Sequence, residues 1–128
     1  MTLLNKIISI SLASVLFSAA HAEEPKLSAK CQKNLVCTTM KKLNEHLEDE
    51  GDQYNRAPSI LVFANGIFKV TVASGDFDVE SCKIQAPLVK NDSGEYDCPV
   101  ATVSGECWGG GVDHSAQQDS QPYTGCDR

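Results

Sequence analysis

Closely spaced cysteines, histidine, basic charge and long apolar runs are what this 128-residue chain lacks or has little of. There is no Cys-x-x-Cys, which argues against a zinc ribbon or a thioredoxin-like redox motif. Beyond the first 22 residues only His46 and His114 remain, too few for a histidine-rich metal site. The formal net charge is −6, so the surface repels nucleic acid and anionic lipid headgroups. The only long apolar run, Ile7 to Phe17, is too short to span a bilayer, and no second one follows it. Neither internal repeats nor low-complexity tracts are visible. Aromatic side chains are scarce, with one Trp, three Tyr and four Phe.

What is present begins with an export pattern. Met1 to Lys6 is a short n-region with one lysine, Ile7 to Phe17 an h-region, and Ala20-His21-Ala22 offers small residues at −3 and −1. The expectation is a signal peptide over 1–22 and a periplasmic or secreted product with no membrane association after cleavage. No cysteine sits at the cut, which argues against a lipid anchor. Removing 22 residues from 128 leaves 106, enough for one domain over 23–128. A domain of that size buries a modest core. The six cysteines, Cys31, Cys37, Cys82, Cys98, Cys107 and Cys126, all lie beyond the cut. An even count in an exported chain predicts three disulfides, each contributing about 2–4 kcal/mol. Losing Lys6 takes the net charge from −6 to −7. Such acidity favours a cationic partner, although solubility alone also explains it.

Val36, Met40, Leu43 and Leu47 recur at spacings of four, three and four, which predicts a helix from about Ser28 to Glu50, stopped by Gly51. Cys31 and Cys37 are about 240° apart around an unbroken helix, so they bond to each other only if the helix starts after Cys31. A polar loop is expected over 52–58. Ile60 to Ala64 and Ile67 to Val72 then flank Asn65-Gly66, the residues of a type I′ turn. A regular two-residue hairpin sets Ala64 opposite Ile67, Phe63 opposite Phe68 and Leu61 opposite Val70. Phe63, Phe68, Leu61, Val70 and Val72 would then share one face, with Lys69 and Thr71 on the other. A Gly75-Asp76 turn leads to a third strand over Phe77 to Ala86. Asn91-Asp92-Ser93-Gly94 joins a strand near Pro87–Lys90 to one over Tyr96–Val103. That reading makes Cys82 and Cys98 reasonable partners. From Gly109 to Gly125 the chain reads as a presented loop closed by Cys126. The predicted fold class is α+β, an N-terminal helix packed on an antiparallel sheet and stapled by disulfides.

Catalytic signals are weak. His46 falls on the polar side of an acidic helix. His114, flanked by Asp113 and Ser115, is the sole support for a small exported enzyme. Gly109-Gly110-Gly111 lacks the lysine and helix of a phosphate loop, and no calcium-loop spacing occurs, so no cofactor and no metal are expected. Asn91-Asp92-Ser93 is a glycosylation acceptor only in a eukaryote. Trp108 reads either as a buried ring on a disulfide or as an exposed interface anchor.

Ser93-Gly94-Glu95-Tyr96 resembles the signature of the bacterial periplasmic lysozyme inhibitors, small exported β-rich proteins with disulfides. The resemblance covers these four residues. It implies that the loop enters a hydrolase cleft, where the serine and tyrosine hydroxyls meet catalytic carboxylates. Such a cleft carries a protonated acid and an ionised partner, and two hydroxyls on a rigid turn satisfy both. The expected function is inhibition of a peptidoglycan hydrolase, as a lysozyme inhibitor or as a toxin-immunity protein. The partner-binding set is Ser93, Gly94, Tyr96, Trp108, Gly109 and Gly110, gathered at one end of the sheet. This reading leaves room for a homodimer. The alternatives are a secreted cysteine-rich effector or toxin, and a small exported enzyme.

Overall fold

A computed structural model describes residues 24–47, 53–76, 78–112 and 121–126. Helix α1 runs over Ala29–Asn44. Ser28 caps it, its Oγ accepting the Cys31 N–H at 3.1 Å and thereby satisfying one orphan donor of the first turn. Lys41 and Lys42 lie in the last turn, where positive charge complements the helix dipole. Cys31, Leu35, Val36, Thr39 and Met40 form the buried stripe. Thr39 is tolerated there because its hydroxyl donates to the Leu35 carbonyl at 2.9 Å. The helix stops at Asn44, six residues short of Glu50, and the Asn44 side chain ties that end to the start of the first strand. The Asn44 amide donates to the Tyr54 carbonyl at 3.0 Å, and its Oδ1 accepts the Tyr54 N–H at 2.7 Å. Leu47, expected on the stripe, lies past the end and is exposed.

The sheet is antiparallel, with strands β1 (Tyr54–Ala64), β2 (Ile67–Ser74) and β3 (Asp78–Gln85) in chain order. The far edge of β3 is covered in two pieces by β6 (Thr102–Val103) and β7 (Trp108–Val112). Between those pieces, Ser104 donates to the Lys83 carbonyl from both its N–H and its Oγ. A separate two-stranded hairpin, β4 (Val89–Lys90) and β5 (Tyr96–Asp97), lies off the main sheet. Residues 54–58 therefore belong to a strand rather than a loop. Pro58 and the positive φ of Ala57 are accommodated because β1 is an edge with register shifts at that point. Residues 109–112 are likewise strand, while 113–120 and Phe77 fall outside the described residues.

The main hairpin shows how one residue decides a face. The turn at Asn65-Gly66 forms, but of the two only Gly66 (φ +77°) is left-handed, so it is not the type I′ turn expected. Ala64 pairs with Ile67 as expected, but Val62 pairs with Phe68, Leu61 with Lys69 and Ile60 with Val70. A bulge between Val62 and Ala64 inserts one residue into β1, and a one-residue shift exchanges the two faces of a strand. Phe68, Val70 and Val72 are fully buried, with Ile60 and Val62 packed against the core. Leu61 and Phe63 are turned outward, 54% and 51% exposed, correcting the predicted shared face. Lys69 and Thr71 keep their expected side.

The core lies between α1 and one face of the sheet, where Leu35, Val36 and Met40 meet Phe68, Val70, Val72, Cys82 and Ile84. Each of these aliphatic, methionine or phenylalanine side chains stabilises the fold by roughly 1.5–3 kcal/mol. Disulfides join Cys31 to Cys98, Cys37 to Cys126 and Cys82 to Cys107. No cysteine is free. Cys31 lies inside the helix, so it cannot reach Cys37. The anticipated Cys82–Cys98 pair fails because β4–β5 leaves the sheet, carrying Cys98 to the helix, and Cys107 takes the place beside Cys82. Three disulfides suit an oxidising compartment outside the cytoplasm. Among the described residues, no helix is long and apolar enough to cross a membrane.

Candidate functional site

The turn between β4 and β5 is built by Asn91. Its Oδ1 accepts the Ser93 N–H at 2.9 Å and the Glu95 N–H at 3.1 Å. Its backbone N–H donates to the Glu95 carbonyl at 2.8 Å, and its own carbonyl accepts the Gly94 N–H at 3.1 Å. Gly94 has φ +81°, a left-handed conformation that favours glycine. The turn is then fastened to the start of α1. Tyr96 N–H donates to the Lys26 carbonyl at 2.8 Å, and Ser28 N–H donates to the Tyr96 carbonyl at 2.9 Å. Cys98 is bonded to Cys31, and the Asn34 side chain donates to the Cys98 carbonyl at 2.6 Å. Lys26 Nζ lies 3.7 Å from Glu95 Oε2, an exposed pair of little energetic weight.

Ser93 and Gly94 are exposed at the tip, whereas Tyr96 is half-buried and packs against the core. The turn thus presents the serine on a fixed backbone, and the tyrosine ring is largely committed to packing.

Trp108 stands elsewhere. It pairs with Ser81 on β3 and lies on the sheet face opposite α1, 40% exposed. Lys69 Nζ is 5.9 Å from its ring centroid, a cation–π contact of about 0.5–1 kcal/mol. Leu61 sits directly across from Lys69, and Thr71 Oγ1 is 2.7 Å from Ser81 Oγ on the same face. Of the two readings of Trp108, the structure places it as an exposed ring. Gly109 pairs with Glu80, and Gly110 lies within β7. Burial, and then the neighbouring Asp78, raise the Glu80 carboxyl above its ordinary value.

These segments are not brought together at one end of the sheet. The β4–β5 hairpin follows the C-terminal end of β3, whereas β7 runs from Ser81 to Asp78 at the start of that strand. Ser93, Gly94 and Tyr96 therefore form one surface, and Trp108, Gly109 and Gly110 another.

His46 has a side chain 90% exposed, 3.5 Å from Glu45. His114, Asp113 and Ser115 lie outside the described residues. Among the described residues, no group of three His, Cys, Asp or Glu side chains could hold a metal ion. Two open clefts that the sequence did not reveal, of about 370 and 720 Å³, share Tyr123 as a wall between α1 and β1. Their lining is mixed, with Lys33 and Ser59 on the smaller cleft and Thr38, Lys41 and Glu45 on the larger. The signal that could have located them is Cys126, whose bond to Cys37 pulls Tyr123 against the helix. No protein-family model, no curated protein and no solved structure matches this chain.

Proposed function

We propose that the protein is a periplasmic inhibitor of a cell-wall hydrolase, either a lysozyme inhibitor or the immunity partner of a delivered toxin. The Ser93–Gly94 tip would enter the enzyme's cleft. The observation that carries this reading is the turn itself. Four hydrogen bonds centred on Asn91 and a disulfide at its base hold an exposed serine in one geometry. A loop rigid before binding loses little conformational entropy on insertion, which favours affinity. The Ser93 hydroxyl is a neutral donor and acceptor, suited to a cleft whose two carboxyl groups differ in protonation. The acidic net charge would steer the protein to a cationic enzyme.

The test is inhibition of purified muramidases and amidases by the wild type, Ser93→Ala and Tyr96→Phe. Phenylalanine keeps the packing of Tyr96 while removing its hydroxyl. Ser93→Ala should weaken inhibition at least about tenfold, near 1.4 kcal/mol, with Tm unchanged. Equal inhibition by Ser93→Ala and wild type would eliminate this turn as the plug. Absence of inhibition by the wild type would eliminate the function.

A further inference from the structure

Strand β1 is the edge of the main sheet, and its outer side is unequally covered. Near its start, Tyr123 N–H donates to the Asn55 carbonyl at 2.6 Å. From Ser59 to Ala64, among the described residues, no strand pairs with it on that side. Proteins blunt such edges with charge, proline or a bulge. Here Pro58 precedes the stretch and the Val62–Ala64 bulge, with Phe63 as its extra residue, falls at its far end, but no charged side chain lies within it. The chain is 22% charged, yet residues 57–68 contain no Asp, Glu, Lys or Arg. In a molecule of net charge −6, two copies repel over most of their surfaces. This strip carries no charge of its own, so two copies can pair along it with no like charges within the strand pair, Lys69 lying one strand further in.

We propose that the occupant of this edge is a second copy of the chain, with the two β1 strands pairing antiparallel about Val62. An antiparallel edge pair is self-complementary under a two-fold axis, so one strip serves both partners. Centring on Val62 sets Leu61 of one copy opposite Phe63 of the other, twice. Residues directly opposite share a face, so these half-exposed side chains cover one another on the side away from α1. The dimer merges two sheets into one and gives the exposed Leu61 and Phe63 an apolar neighbour. It is independent of the Ser93 turn, which lies off the main sheet.

Sedimentation equilibrium of the purified protein over a concentration series tests this. The wild type should show reversible monomer–dimer behaviour. Leu61→Lys with Phe63→Lys, both exposed and so compatible with the fold, should weaken association at least about tenfold by placing like charges across the pair. Trp108→Ala, on the same face but off the edge, should dimerise as wild type does. A wild-type mass equal to the monomer throughout the series would overturn the proposal. So would a dimer unaffected by the two lysines in a variant whose circular dichroism matches wild type, or one abolished by Trp108→Ala.

Discussion

The two faces of the main sheet are made by the same strands and follow different rules. Toward α1, Phe68, Val70, Val72, Cys82 and Ile84 are fully buried and fill one continuous core with the helix. Away from α1, Leu61, Phe63 and Trp108 remain substantially exposed beside Lys69 and Thr71. Alternation alone makes two faces. It does not say which is covered, because both carry large apolar side chains. What decides is the helix, bonded through Cys31 and Cys37 to segments on its own side of the sheet. Stability therefore resides on one face, leaving the other available for contact.

That division can be broken by substitution. The largest loss should come from Phe68→Ala, about 3–5 kcal/mol by urea denaturation, because a fully buried ring leaves a cavity. Next, replacing Cys37 and Cys126 together by serine should cost about 2–4 kcal/mol, since that bond closes a span of 89 residues and holds Tyr123 at the cleft. Calorimetry of the reduced-loop variant checks this, and an unchanged Tm would mean that the tail is held by packing alone.

Trp108→Ala should cost far less than Phe68→Ala, about 1 kcal/mol or below, because the ring is only partly buried and its Lys69 contact is weak. A cost equal to that of Phe68→Ala would erase the distinction between the faces. The smallest effect should be Glu80→Gln. Burial raises the Glu80 carboxyl in the folded state, so its favourable contribution is complete below the unfolded pKa and is lost as pH rises through the folded one. The glutamine variant should accordingly melt slightly above wild type at about pH 7, with the gap closing toward about pH 3. A gap that widens on acidification would reverse the sign of this linkage.

Much of the architecture was legible locally. The Val36–Met40 stripe and a turn at Asn65-Gly66 depend on residues close together in sequence, and the structure places both where expected, although of the turn pair only Gly66 takes a positive φ. The Ser93–Gly94 turn was legible for the same reason, since Asn91 builds it within five residues. The burial of Tyr96 and the exposure of Trp108 were not, because both depend on elements distant in the chain.

The sequence by itself determined one helix, a tight hairpin, an even set of cysteines and an acidic surface. Each follows from side-chain chemistry acting over a few residues or from composition. Only the tertiary structure decided which cysteines meet, which face of the hairpin is buried, and that the Ser93 turn and Trp108 lie apart. The physical reason lies in two small events. A single inserted residue at Val62–Ala64 exchanges the faces of β1, and the departure of β4–β5 from the sheet sends Cys98 to the helix. Neither event changes any local propensity, so neither could be read before the strands and the helix were set against one another.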